Sequence, residues 1–230
     1  MAVTTLDQRM LGLGTTLTDH TIVAGDIISF ADSGASNVIK RDTVQGILDL
    51  AGGGAWNLIG TSEASSSASL TITGINSTYD TYGVAVSALV PATDNVDVYI
   101  RFGDSSGIDS GSNDYSYHAS GGRAGASTAR TAFDDTAAQI AFVLTADTIV
   151  NTTGGGFGMM AFLHGPSDSS FVTSLSGTYW YQAMDAPEGG DGGSFGASRR
   201  DVIAHDRIQV FFSSGNIASG RLSVWGLAHA

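Results

Sequence analysis

Gly103-Asp104-Ser105-Ser106-Gly107 has the G-x-S-x-G spacing that, on a strand-to-helix turn, lifts a serine nucleophile toward an oxyanion hole. The residues that follow are rich in Gly, Ser and Asp and carry no helical periodicity, so a hairpin turn is expected there instead. Asp104, Asp109 and Asp114 could offer oxygen ligands to calcium, but the alternating carboxylates and closing glutamate of an EF-hand are missing. They are read as solvated turn residues. The five histidines (His20, His118, His164, His205, His229) never fall at i, i+4 spacing and no H-E-x-x-H occurs, so no zinc site is expected. Glycoside cleavage needs two carboxyl groups flanking one bond. Asp134-Asp135, or Glu188 with Asp191, are the pairs on offer, and their separation in space is not a property of sequence. Asn76-Ser77-Thr78 and Asn151-Thr152-Thr153 fit the glycosylation triplet, and Arg199-Arg200 is too short a basic run to signify. No catalytic residue, metal or cofactor is expected. Binding chemistry is better represented: Tyr115, Tyr117 and His118, and Tyr179, Trp180 and Tyr181, could stack on a sugar or a protein side chain. On a strand, alternation makes part of the second set core, so Tyr115, Tyr117 and His118 are the candidate receptor contacts.

The elements that must position these groups are strands. The chain of 230 residues is 42% hydrophobic and only 14% charged, which excludes a disordered chain. Thirty-one glycines with three prolines point to many tight turns between short strands. A formal charge of −12 with Lys40 as the sole lysine argues against a nucleic-acid partner. The absence of cysteine excludes disulfides and thiolate chemistry. No signal-like N-terminus and no run of apolar residues long enough to span a bilayer are present, so neither export nor membrane insertion is expected.

Asn76 to Gly103 sets the pattern: two strands joined by Pro91-Ala92-Thr93-Asp94-Asn95. Tyr82, Val84, Val86 and Ala88 share one face of the first, with the small Gly83, Ala85 and Ser87 opposite, a face another sheet or subunit could approach closely. Val96, Val98, Ile100 and Phe102 share one face of the second. Strands are expected at 56–61, 68–74, 80–90, 95–103, 137–145, 156–164, 177–185, 207–213 and 219–228, with long irregular insertions at 104–135 and 186–206. This predicts an all-β protein, a jelly-roll-like antiparallel β-sandwich over 55–230. Residues 1–54 form a small strand-turn-strand-helix segment. Thr21–Val23 and Asp26–Phe30 are its first strands, Asp32–Asn37 a turn before Val38-Ile39-Lys40, and a helix follows Asp42 with Val44, Ile47, Leu48 and Ala51 on one face. A unit that small needs a partner to dock on.

Trp56-Asn57-Leu58-Ile59-Gly60-Thr61, Ser69 to Ile75, Ser77 to Tyr82, Val90 to Asp94, Asp109 to Tyr117 and Arg207 to Gly220 together resemble a β-rich module of tailed-bacteriophage virion proteins. Asp26 to Leu50 resembles the I-P-x-x-D-x-S and K-x-x-T-x-x-x-L segment of phage fibre proteins. Phe30-Ala31-Asp32-Ser33 and Lys40-Arg41-Asp42-Thr43-Val44 stand in those places, with Ser29 where proline is common. The resemblance implies a non-enzymatic virion component on the particle exterior, made in the host cytoplasm. It would be a homotrimeric tail fibre or spike whose residues 1–54 attach to other virion proteins, Phe30, Lys40, Val44, Ile47 and Leu48 being the anchor candidates. The β-sandwich would then recognise a host surface glycan or protein. A capsid decoration protein and a surface-polysaccharide depolymerase are the alternatives.

Overall fold

The computed structural model describes residues 25, 27–32, 38–44, 55–123, 129–142, 148–151, 154–183 and 190–228. The chain divides into two units, Met1–Gly53 and Gly54–Ala230. In the first, β1 (Ile27–Asp32) pairs antiparallel with β2 (Val38–Thr43), and the register sets Phe30 opposite Lys40. The strand expected at Thr21–Val23 and the helix residues Ile47, Leu48 and Ala51 lie outside the described residues; Val44 is the last one described before residue 55.

The second unit consists of antiparallel strands in two sheets, with no helix among its described residues. β3 (Trp56–Glu63), β4 (Leu70–Thr73), β5 (Thr81–Pro91) and β6 (Val98–Asp104) alternate between the sheets. So do β10 (Ile140–Ala141), β11 (Phe157–His164), β14 (Arg207–Phe212) and β15 (Ile217–Leu227). These eight pair as nested couples: β3 with β15, β4 with β14, β5 with β11, and β6 with β10. Two insertions interrupt them. β7 (Gly107–Ile108), β8 (Tyr115–Arg123) and β9 (Arg130–Ala137) precede β10, and β12 (Ser174–Gln182) and β13 (Gly190–Arg199) follow β11. β7 pairs with β6; the others lengthen the larger sheet, whose order is β3-β15-β5-β11-β12-β13-β8-β9. The smaller sheet runs β10-β6-β14-β4.

Period-2 alternation builds the core between the sheets. Tyr82, Val84 and Val86 of β5, Met159, Ala161 and Leu163 of β11, and Leu222 and Val224 of β15 are buried from one side. Val98, Ile100 and Phe102 of β6, Ile208, Val210 and Phe212 of β14, and Leu70 and Ile72 of β4 meet them from the other. The antiparallel β-sandwich expected from the sequence is therefore present. The connection Pro91 to Asn95 joins two strands as expected and carries the chain from one sheet to the other, with Asn95 at φ 65. Ala88, expected beside Val86 in the alternation, lies at φ 48 where the pairing of β5 with β15 is irregular.

Within 104–135 and 186–206, expected as irregular insertions, more than half of the described residues are strand. Tyr115 and Ala119 of β8 and Phe195 and Ala197 of β13 point into the core, while Gly, Ser and His occupy the outward positions. On the inward side too a small residue permits close backbone approach, as at Gly193, where an added Cβ would collide with the Ser120 carbonyl oxygen. Gly193→Ala is expected to cost about 1–3 kcal/mol by forcing β13 away from β8. Gly196→Ala, whose Cβ would meet nothing within 4 Å, should change stability by no more than about 0.5 kcal/mol. Urea unfolding of both variants checks the pair.

Candidate functional site

β8, lying between β13 and β9, aims Ser116 and His118 outward and Tyr115 inward. His118 stands opposite Gly196 on one side and Phe133 on the other. Gly196 has no side chain to fill the space beside the imidazole, and a groove of about 430 Å³ results. Ser116, Tyr117, His118, Phe133, Asp134 and Ser198 are among the residues that line it. Phe133, 74% exposed, offers an open aromatic ring. Ser116 and Ser198 share a hydrogen bond of 3.0 Å across the strands. The Asp134 carboxylate accepts the Thr136 backbone N–H at 2.8 Å. Tyr117 borders the groove but shares the inward side of β8 with Tyr115 and Ala119 and packs against the core; burial raises its phenol above its ordinary pKa, and the charges of Asp134 and Asp97 raise it further. Hydroxyls, carboxylates, an imidazole and a bare ring in one groove suit a ligand with many hydroxyl groups and an apolar face. The Ser116 and Ser198 hydroxyls bond to each other, and Asp134 and Asp135, the carboxylate pair weighed for glycoside cleavage, are among the lining residues.

Of the candidate receptor contacts, only Tyr117 and His118 reach this groove. Tyr115 is fully buried: its hydroxyl accepts the Phe102 backbone N–H at 2.8 Å and lies 3.1 Å from the Asp109 carbonyl oxygen. In the second aromatic set Tyr179 and Tyr181 are core and Trp180 is exposed. Gly103 to Gly107 forms the turn between β6 and β7, with Asp104 opposite Gly107, so the serine motif is a hairpin as expected. Asp191 is buried against Arg123 at 3.3 Å, and Glu188 lies outside the described residues.

A second concavity of about 510 Å³ lies between residues 77–80 and 165–171. Its aromatic walls are already engaged, Tyr79 against Tyr82 and Gly226, and Phe171 over Gly165. Asp168 is closed onto Ser170. The groove on β8 is the better site.

Beneath the start of β8 lies a polar cluster that sequence reading missed. Arg199 is 5% exposed, with Nε at 2.9 Å from Asp109 Oδ2 and its other nitrogens on the Asp114 carboxylate at 3.0 Å and the Asp114 carbonyl at 2.8 Å. His205 Nε2 lies 3.0 Å from the same Asp109 oxygen, and Nδ1 2.7 Å from Thr173 Oγ1. Hydroxyl, imidazole and carboxylate thus stand in the order of a nucleophilic triad. Thr173 is wholly buried and His205 is 2% exposed, so no substrate reaches the hydroxyl. The cluster is structural. Asp109 and Asp114, weighed above as calcium ligands, have the Arg199 guanidinium as their cation, and no group of side chains suited to a metal occurs among the described residues.

Comparison with protein-family models, with curated proteins and with solved structures finds no match for this chain.

Removing the Arg199 charge, as in Arg199→Met, strands two partly buried carboxylates and is expected to destabilise by about 3–5 kcal/mol. Burial lowers the His205 pKa below the ordinary histidine value; the hydrogen bond and charge of Asp109 pull it upward, Arg199 adds to the lowering and Asp104 opposes it. The unfolded chain therefore takes up this proton first, and the stability carried by neutral His205 is complete above about pH 6.5 and declines as pH falls below it. His205→Gln should flatten that part of the pH dependence, measured by urea unfolding at several pH values.

Proposed function

We propose that this chain is a non-enzymatic component of a phage particle exterior, a homotrimeric tail fibre or spike protein whose β-sandwich meets the host surface. The observation that carries the host contact is the groove between β13, β8 and β9, where an exposed aromatic ring stands among hydroxyls and carboxylates. That combination is suited to a glycan: the ring stacks on the apolar face of a sugar and the polar groups exchange hydrogen bonds with its hydroxyls. His118 is the contact retained from the sequence, Tyr117 bordering the groove from the inward side of β8, with Phe133 as the aromatic anchor. Residues 1–54 attach to other virion proteins, with Phe30, Lys40, Val44, Ile47 and Leu48 as the anchor.

The sandwich is read as a jelly roll. Support comes from the nested pairing of first strand with last through to fourth with fifth, which is a long hairpin rolled into two Greek keys. The groove then belongs to the inserted strands and not to the roll. A binding role is favoured over polysaccharide cleavage because Asp191, one of the carboxylates weighed for that chemistry, is held by Arg123.

Immunogold labelling of particles with an antibody against residues 55–230 tests the placement. Gold at the tail is expected; gold over the head would make the chain a capsid decoration protein, and unlabelled particles would remove the virion reading. Phe133→Ala is expected to weaken host-cell binding by about tenfold, as loss of an aromatic anchor does. Unchanged binding would move the contact elsewhere.

A further inference from the structure

The two faces of the larger sheet differ in kind. Inward side chains form the core, and the register arranges the outward ones in rows. One row runs Leu58, Trp225, Gly83, Phe162 and Ser176 across β3, β15, β5, β11 and β12, and continues through Gly196 and His118 to Phe133. The next runs Thr61, Ser223, Ala85, Met160 and Thr178, and continues through Ser194 and Ser120 to Thr131. Neither row holds an Asp, Glu, Lys or Arg, in a chain with 22 acidic and 10 basic residues. The smaller sheet, by contrast, turns Arg101, Gln209 and Arg207 away from the core. Large apolar groups concentrate where charge is missing. Among the described residues of this unit, Trp56, Leu58, Met160, Phe162 and Trp180 are exposed between β3 and β12, and the only others of their kind are Phe133, Phe171 and Val202. Trp56 lies over Gly83, its ring 6.0 Å from Phe162 and 6.2 Å from Trp225, so the apolar surface is continuous.

We infer that the outward face of β3, β15, β5, β11 and β12 is covered by a second copy of this chain. Charge selects the occupant. Two chains of net charge −12 repel wherever their carboxylates meet, so self-association, in a pair or about the threefold axis of the proposed homotrimer, needs a face without them, and each copy brings the same uncharged face to the contact. The area suffices: five strands about 4.8 Å apart and about eight residues long cover roughly 600 Å² per copy, and roughly 1,200 Å² in total reaches the range of specific interfaces. The pattern also fits, with an apolar centre and the Glu63–Arg221 pair, 3.3 Å apart, at the margin. Trp56 fills the space over Gly83, and the small Ala85 and Ser176 lie low between the large side chains, where a partner's Leu58 or Phe162 can pack. The groove on β8 lies beyond β12 on the same sheet and stays open. The inference does not rest on the host-contact reading.

Sedimentation equilibrium of the full 230-residue chain tests it. The wild type is expected to self-associate, and Leu58→Asp and Phe162→Asp each to raise the dissociation constant by about tenfold or more. Thr178→Arg, at an exposed polar position of the same face, should do the same without removing an apolar contact, and thermal melting confirms that each variant folds. Val202→Asp, an exposed position outside these strands, should keep the wild-type mass. A monomeric wild type overturns the proposal, whether its face is open to solvent or is protected in hydrogen exchange by the chain's own residues 1–54. Variants that all keep the wild-type mass overturn it equally. Host-cell binding by Phe133→Ala reads the other proposal separately.

Discussion

A guanidinium cannot be buried without partners, and Arg199 meets that requirement by drawing three segments together. It sits opposite Tyr115 in the pairing of β13 with β8, with its charge 5.8 Å above the phenol ring. Asp109 and Asp114, on the segment leading into β8, close onto it, and His205 fastens the approach to β14 onto Asp109 and Thr173. The Tyr115 hydroxyl then takes the Phe102 backbone N–H. These contacts fix the register of β8. Because side chains on a strand alternate, a slip by one residue would turn Tyr115 outward and His118 inward. The groove depends on a buried ion cluster that does not line it.

The larger sheet is longer than the smaller one that covers it, so its extension needs another kind of core. Aromatic side chains supply it. Phe142, just past β10, lies with its ring 4.6 Å from Phe195, 5.4 Å from Phe157 and 5.6 Å from Tyr179. Pairs of this sort add about 0.5–1.5 kcal/mol each beyond the area they bury. One ring thus joins β11, β12 and β13 where a longer facing sheet would otherwise be needed. The phenol of Tyr179 within this cluster has its pKa pushed up to about 12 by burial first and by the Asp191 charge second. It remains neutral, as its surroundings require.

How much of this was legible in the sequence follows from how each strand is written. β6 and β14 alternate large apolar residues with polar ones, and both were readable. β8 and β13 were not, because Gly and Ser fill most of their positions and resemble loop composition. A signal was present: Tyr115, Tyr117 and Ala119, like Phe195, Ala197 and Arg199, recur at every second residue. The site was half legible. His118 and Tyr117 stood out by chemistry, whereas Phe133, Gly196 and Ser198 join them only through pairing across the sheet. The cluster of Asp109, Asp114, Thr173, Arg199 and His205 spans almost a hundred residues, and no local pattern marks it.

Charge constrains what the groove can hold, on the reading that it binds a glycan. Asp134 and Asp135 stand at its rim in a chain of net charge −12. At physiological ionic strength the screening length is about 8 Å, comparable with the width of such a groove, so a carboxylate or phosphate entering it would feel both acidic groups. A neutral saccharide meets no such repulsion, and its paired hydroxyls can donate to the same oxygens. An amino sugar would gain further from its ammonium group. On that reading the acidic rim would act with the Phe133 ring, the ring selecting a ligand with an apolar face and the carboxylates rejecting those that carry negative charge.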